Sequence, residues 1–107
     1  MIAQTPPPPY YAVIFTNIRS EKGSENYAHM AQKMVELAQV QPGFLGVESN
    51  RNQLGITISY WRDLDSIKKW KANADHLEAQ DKGRSTWYSS YKTRIAKVER
   101  DYGFGDL

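Results

Sequence analysis

The order of apolar and polar residues along the chain predicts a strand followed by a helix in its first part. Residues 10–18 are almost wholly apolar, so both faces of this first strand require cover. After a polar stretch, apolar side chains recur with the spacing of an amphipathic helix at Tyr27, Met30, Ala31, Met34, Leu37 and Ala38. Ser24 is the expected N-cap, and the helix should end before Pro42.

The remaining pattern predicts a hairpin, a second helical region and a last strand. Residues 44–49 and 54–61 read as two strands joined by the turn-prone residues 50–52. Mixed β-type sequence occupies residues 91–102. The resulting order, β-α-β-β-α-β, is that of the α+β, ferredoxin-like split βαβ fold, in which two helices cover one face of a four-stranded antiparallel sheet.

The second helical region carries two sets of N-terminal signals. Asp63 or Asp65 can cap its start, and Asp75 with Glu78 has the spacing of a capping box. We therefore predict a break near Asn73, after which a restarted helix places Leu77, Arg84, Tyr88 and Tyr91 near one stripe.

Two helices leave one side of the sheet uncovered. The first strand presents Val13 and Phe15 on one side and Ile14 and Ile18 on the other, so the helix-free side still carries apolar groups. Exposed apolar area costs about 25 cal/mol per Å². We predict that a second copy of the chain covers it and forms a homodimer.

Composition excludes several function classes. Residues 10–107 form one predicted domain, preceded by a proline-rich tail or arm at residues 1–9. The net charge is +2, and the basic residues form no stripe along the chain, which argues against nucleic-acid binding. There is no apolar run of about 18 residues and no signal-peptide pattern, so no membrane association is expected. The lack of cysteine excludes disulfides and thiolate chemistry, and a cytoplasmic location is the default expectation.

Four segments carry a family resemblance. They are Tyr11-Ala-Val-Ile-Phe-Thr, Gln41-Pro-Gly-Phe-Leu-Gly-Val-Glu, Ile58-Ser-Tyr-Trp and Trp70-Lys-Ala-Asn-Ala-Asp-His76. Over about residues 10 to 104 the chain resembles the antibiotic biosynthesis monooxygenase (ABM) domain family of the dimeric α/β-barrel superfamily. The resemblance implies a dimer with a pocket between sheet and helices in each subunit. Its members include cofactor-free oxygenases of phenols and quinols, haem-degrading enzymes and proteins with no known substrate.

The chain departs from both enzymatic branches of this superfamily. Haem-degrading relatives carry a strand-1 Asn, which Asn17 matches, a helix Trp, which Trp70 matches, and an axial His whose position falls on Gln80, a poor iron ligand. His76, one turn earlier, is the alternative ligand. In the quinol-oxidising branch a Tyr stands at the place of His76, and the distant Arg has only Arg84 as a nearby counterpart.

Four residues are predicted to be catalytic. His76 is the candidate base, because the dipole at the first turn of a restarted helix keeps an imidazole neutral, although a surface role is equally compatible with the sequence. Trp70 is either a packing residue or the wall for an aromatic substrate. Asn17 could orient a substrate oxygen or dioxygen, or face water at the strand end. Arg84, together with Asn73, could stabilise a substrate anion or lie at the surface.

The leading hypothesis is a homodimeric monooxygenase that oxidises an aromatic phenol or quinol with dioxygen and no cofactor. Four side chains are expected to contact the substrate: Phe15, Tyr60, Asn73 and Gln80. No pair of His, Asp and Glu has the spacing of a metal site. The alternatives are haem binding or degradation, and a non-catalytic dimer that binds a small ligand.

Overall fold

The computed structural model describes residues 1–21, 24–81 and 87–107, without the side chains of residues 24–26 and 79–81. Its elements follow the predicted order: β1 (Tyr10–Arg19), α1 (Ser24–Gln39), β2 (Phe44–Arg51), β3 (Gly55–Trp61), α2 (Leu64–Asp81) and β4 (Tyr88–Val98). The side chain of the predicted N-cap, Ser24, lies outside the described residues. No helix within the described ranges combines the length and apolarity that crossing a membrane requires.

The four strands form one sheet in the order β2-β3-β1-β4, and every neighbouring pair is antiparallel. This is the predicted α+β, ferredoxin-like fold. One row across the sheet positions the candidate site. In it Gly55 is paired with Arg51 of β2 on one side and with Asn17 of β1 on the other, and Asn17 is paired in turn with Tyr91 of β4.

A small core joins the helices to one side of the sheet. Ala38 of α1, Trp61 of β3 and Ile67 of α2 are buried together, and Trp61 has no exposed surface. Four partly buried residues pack against this cluster: Tyr11, Val13, Phe44 and Trp70. Because Tyr11 and Val13 alternate with Ala12 along β1, the side of β1 that carries Tyr11, Val13, Phe15 and Asn17 faces the helices.

The start of α2 is fixed by a cap and a glycine. Asp63, one of the two predicted caps, accepts a hydrogen bond from the backbone N–H of Ser66 at 2.8 Å. Bonds from the side chain and backbone of Ser66 lower the pKa of Asp63 below its ordinary value. Gly43, which has φ of +85°, precedes β2, and a Cβ placed there would overlap the Ser66 hydroxyl. Gly43 therefore allows close contact between this turn and α2.

The predicted break near Asn73 is wrong, because α2 runs without interruption to Asp81. Asp75 forms an ion pair with Lys71 one turn earlier, at 2.9 Å. The amide of Asn73 donates to the backbone oxygen of Lys69 and to the side chain of Gln41, so it does not interrupt the helix. The predicted helical stripe is also wrong at Tyr88 and Tyr91, which belong to β4.

Residues 1–9 lie against the helix-free side of the sheet. The backbone N–H of Ala3 donates to Glu48 at 2.8 Å, and the hydroxyl of Tyr60 donates to the same carboxylate at 2.7 Å. Thr5 donates to the hydroxyl of Tyr10, which packs edge-on against Tyr60 and is almost fully buried. The arm therefore covers the part of this side that carries the two tyrosines.

The far end of the helix-free side keeps exposed apolar groups. Ile18 and Leu54 are each 47 % exposed, and Ile56 is 39 % exposed. The prediction that a second copy covers this side stays a prediction.

Candidate active site

A cavity of about 930 Å³ lies between the two helices and the sheet. Its wall includes residues of both helices and all four strands, and most of them are apolar. Aromatic side chains on the described part of the wall are Phe15, Tyr27, Phe44, Trp70, Trp87, Tyr88 and Tyr91. The volume is well above the roughly 300 Å³ at which small-molecule sites begin.

One part of the cavity wall is the indole ring of Trp70, which packs against a second tryptophan. The ring of Trp70 stacks on that of Trp61, with 6.0 Å between ring centroids and 21° between ring planes. Trp61 is held in turn by a hydrogen bond from its indole N–H to Ser59 at 2.9 Å and by an edge contact with Phe44. Trp70 is half-buried and lines the cavity, so it presents a flat apolar surface on a rigid support.

Another part of the wall is a group of aromatic rings. Tyr88 packs edge-on against Phe15 at 5.3 Å and against Tyr27 at 5.9 Å between centroids. Burial, reinforced by the adjoining Tyr27 and its hydrogen bond, raises the pKa of Tyr88 well above its usual range. Tyr88 is therefore a neutral phenol at physiological pH, unsuited to act as a base.

Arg51, at the end of β2, brings a positive charge to this wall. Its Nη2 donates to the carboxamide oxygen of Asn17 and, at 3.3 Å, to the hydroxyl of Tyr27. Asn17 is only 2 % exposed, so this bond satisfies a buried polar group. Sequence reasoning missed Arg51 because residues 50–52 have the composition of a turn. The available signal was alternation along β2, which places Arg51 on the same side as Val47 and Ser49.

Of the predicted site residues that the structure describes, Trp70 and Phe15 line the cavity. His76 is exposed and is not one of the described residues on the cavity wall. Because α2 is continuous, His76 lies inside the helix and not in a first turn, so the dipole argument for its neutral form does not hold. Its catalytic role stays a prediction. Two carboxylates of α2, Asp75 and Glu78, do line the cavity.

The other predicted residues lie elsewhere or outside the described set. Asn17 is turned to Arg51 and lines a separate, smaller pocket of about 270 Å³. Tyr60 lies on the helix-free side beside Glu48, and Asn73 is exposed and bonded to Gln41. Two predicted groups, Arg84 and the side chain of Gln80, lie outside the described residues.

Residues 9–82 match the family model described as antibiotic biosynthesis monooxygenase. The chain belongs to this family. One relative is the uncharacterized protein YqjZ of Bacillus subtilis, which is 52 % identical over 101 residues, covering 92 % of this chain and 88 % of YqjZ. The jasmonate monooxygenase ABM of Pyricularia oryzae is 30 % identical over 93 residues, covering 82 % of this chain but only 43 % of that protein.

Solved structures place this ABM chain in the same fold. SnoaB of Streptomyces nogalater, a cofactor-independent oxygenase, superposes with a TM-score of 0.70 and 12 % identity, over 88 % of this chain and 97 % of SnoaB. PA3566 of Pseudomonas aeruginosa superposes with a TM-score of 0.66 and 17 % identity, over 95 % of this chain and 100 % of PA3566. At these identities the likeness establishes the fold alone.

Proposed function

We propose that this ABM protein is a homodimeric, cofactor-independent monooxygenase that oxidises a small phenol or quinol. The observation that carries the proposal is the aromatic-lined cavity of about 930 Å³, backed by the Trp61–Trp70 stack. A planar substrate would lie against Trp70 and leave water on entering. The named activities of two similar proteins, jasmonate monooxygenase ABM and the cofactor-independent oxygenase SnoaB, support an oxygenase reaction.

The proposed reaction balances without an external reductant. A phenol loses its acidic proton, and the resulting anion is electron-rich enough to reduce dioxygen directly. One oxygen atom bonds to the ring carbon opposite the hydroxyl and becomes a carbonyl. The other oxygen leaves as water with the two displaced hydrogens, so a phenol and dioxygen give a quinone and water. The protein's part is to bind the substrate, exclude water and stabilise the developing negative charge.

Three side chains on the cavity wall are suited to this role in the reaction. Trp70 provides the stacking surface, and Arg51 provides positive charge for the anion. Tyr88, which stays neutral because its pKa is raised, can donate a hydrogen bond but cannot compete for the substrate proton. The base is one of two groups on α2: Glu78, on the wall, or His76, the residue predicted from the sequence.

Oxygen consumption with a panel of phenols and naphthols tests the reaction. With 1-naphthol we expect uptake of one dioxygen per 1,4-naphthoquinone formed, and labelled dioxygen should place one labelled atom in the product. Trp70→Ala should lose most of this activity, and Lys69→Ala, an exposed change one residue away, should keep it. Uptake no faster than in buffer across the panel would contradict the proposal.

The homodimer rests on the exposed apolar end of the helix-free side, at Ile18, Leu54 and Ile56. Light scattering should give twice the 12.3 kDa of one chain. Ile18→Lys should shift the protein towards the mass of one chain, because a buried charge at the interface is unfavourable, and Ile18 is not among the described residues of the cavity wall. A species of 12.3 kDa at all concentrations for the unaltered protein would refute the dimer.

Haem binding stays an alternative prediction. Titration with hemin tests it, since a haem-binding protein gives a Soret shift that saturates at a fixed ratio of haem to protein. A shift that persists unchanged in His76→Ala would exclude His76 as the iron ligand.

A further inference from the structure

The side chain of Arg51 crosses the sheet in the direction of β1. Arg51 is paired with Gly55 on the neighbouring strand, and Gly55 is paired with Asn17 on the next. The guanidinium reaches Asn17 by passing over Gly55, because a Cβ built on Gly55 would overlap Nη2. Gly55 therefore leaves the space in which the guanidinium lies.

The hydrogen bonds of this guanidinium within the described part of the chain do not neutralise its charge. Both acceptors are neutral oxygens, one in the amide of Asn17 and one in the hydroxyl of Tyr27. Both bonds also come from Nη2. Among the described residues they leave the N–H groups of Nη1 and of Nε, which point in different directions, so each can donate a single charge-assisted hydrogen bond to an oxygen of an anionic ligand.

The other charged residues on the described wall act on an anion in both directions, and they include Lys92 as a further cation. Lys71, a second lining cation, is ion-paired with Asp75 at 2.9 Å. Glu78 adds a negative charge, and its effect on the pKa of Tyr88 is opposite to that of Arg51. An anionic group would be attracted by Arg51 and repelled by Glu78.

We propose that Arg51, held over Gly55 by Asn17, makes this cavity selective for aromatic ligands that carry a carboxylate or an equivalent anionic group. The ring system lies in the apolar part of the cavity, and the anionic group lies at the Arg51 end. This inference rests on the proposed function, since it names the class of molecule that the cavity admits. Arg51 binds the ligand, whereas Asn17 and Gly55 are positioning residues.

Calorimetric titration with two molecules of nearly equal shape tests the selectivity. They are 2-naphthoate, which is anionic, and 2-naphthamide, which is neutral. The unaltered protein should bind 2-naphthoate more tightly. Arg51→Gln should weaken the binding of 2-naphthoate by about tenfold or more, which is the range for a charge-assisted hydrogen bond. It should change the affinity for 2-naphthamide by less than about twofold. Lys68→Gln, which removes an exposed cation of α2 that is not among the described residues of the cavity wall, should change the binding of neither compound.

Two further variants test the arrangement around Arg51. Gly55→Ala keeps the charge but fills the space occupied by Nη2. It should therefore weaken the binding of 2-naphthoate and leave the binding of 2-naphthamide unchanged. Glu78→Gln removes the repelling carboxylate and should tighten 2-naphthoate alone. Circular dichroism and melting curves must show that each variant folds as the unaltered protein does.

The outcomes separate this inference from the proposed function. Equal binding of the two compounds, or equal weakening of both by Arg51→Gln, overturns anion selectivity and leaves the aromatic cavity intact. If the unaltered protein binds neither compound, the selectivity is overturned, and so is the use of this cavity as an aromatic binding site in the proposed function. Selective loss of 2-naphthoate in both Arg51→Gln and Gly55→Ala supports the inference.

Discussion

Trp70 stacks on Trp61 at 6.0 Å with only 21° between the ring planes, so the cavity wall and the buried core meet in one pair of indoles. Trp61 has no exposed surface, whereas Trp70 is half-buried and lines the cavity. The two interpretations of Trp70 offered by the sequence, packing residue and substrate wall, are therefore compatible.

Replacing Trp70 should affect both stability and binding. Trp70→Ala removes the indole ring that stacks on Trp61, and we expect it to lower the free energy of unfolding by about 2–4 kcal/mol. Urea denaturation measures this loss. Trp70→Phe keeps an aromatic surface and should retain more of both the stability and the affinity for 2-naphthamide. Equal affinity in Trp70→Ala and the unaltered protein would show that the ligand does not use this wall.

The two candidate bases on α2 should differ in effect. Glu78 lines the cavity and His76 is exposed, so we expect Glu78→Gln to slow oxygen uptake with 1-naphthol by about tenfold or more and His76→Ala to leave it nearly unchanged. Initial rates across a range of about pH 5 to 9 provide the comparison. A large loss in His76→Ala alone would favour the base predicted from the sequence.

Gly43 should be intolerant of a side chain for two reasons. Its φ of +85° is unfavourable for other residues, and a Cβ would overlap the Ser66 hydroxyl. We expect Gly43→Ala to lower the free energy of unfolding, measured by chemical denaturation, by about 1–3 kcal/mol. Gly105→Ala is the matched control, since Gly105 has φ of +87° with no atom within 4 Å of its built Cβ. Similar losses in both variants would mean that the contact with Ser66 is unimportant.

The cap of α2 should make stability depend on pH. Hydrogen bonds from Ser66 lower the pKa of Asp63 in the folded protein. A lowered pKa stabilises the fold above the ordinary, unfolded value, and this stabilisation is lost as the pH falls through the folded value. The melting temperature of Asp63→Ala should therefore be lower than that of the unaltered protein at about pH 7, and the difference should shrink towards about pH 2.

Asp65→Ala is the control for this cap, because Asp65 is exposed and paired with Lys69 at 3.1 Å. It should change the melting temperature little at either pH. A pH-independent difference for Asp63→Ala would contradict the role given to the ionised carboxylate.

The sequence was sufficient for the order of elements because apolar periodicity reflects which side of each strand or helix is buried. It was insufficient at Asn73, where the spacing of Asp75 and Glu78 allowed a cap. In the fold Asp75 pairs instead with Lys71, and the helix continues. A local spacing does not reveal which of two available partners a carboxylate takes.

The candidate site was only partly predictable for a similar reason. Trp70 and Phe15 were found because an aromatic residue on an inward-facing stripe must contact the interior. The part played by Arg51 depends on the register of three strands and on the missing side chain at Gly55. Register is a property of pairing between distant segments, and residues 51–55 appear in the sequence only as the end of a hairpin.

All three tryptophans of the chain stand at the cavity or directly behind it: Trp70 and Trp87 line it, and Trp61 supports Trp70. The intrinsic emission of the protein therefore originates almost entirely around this one space. A molecule entering it would quench or shift that light, so occupancy could be followed by fluorescence in unlabelled protein.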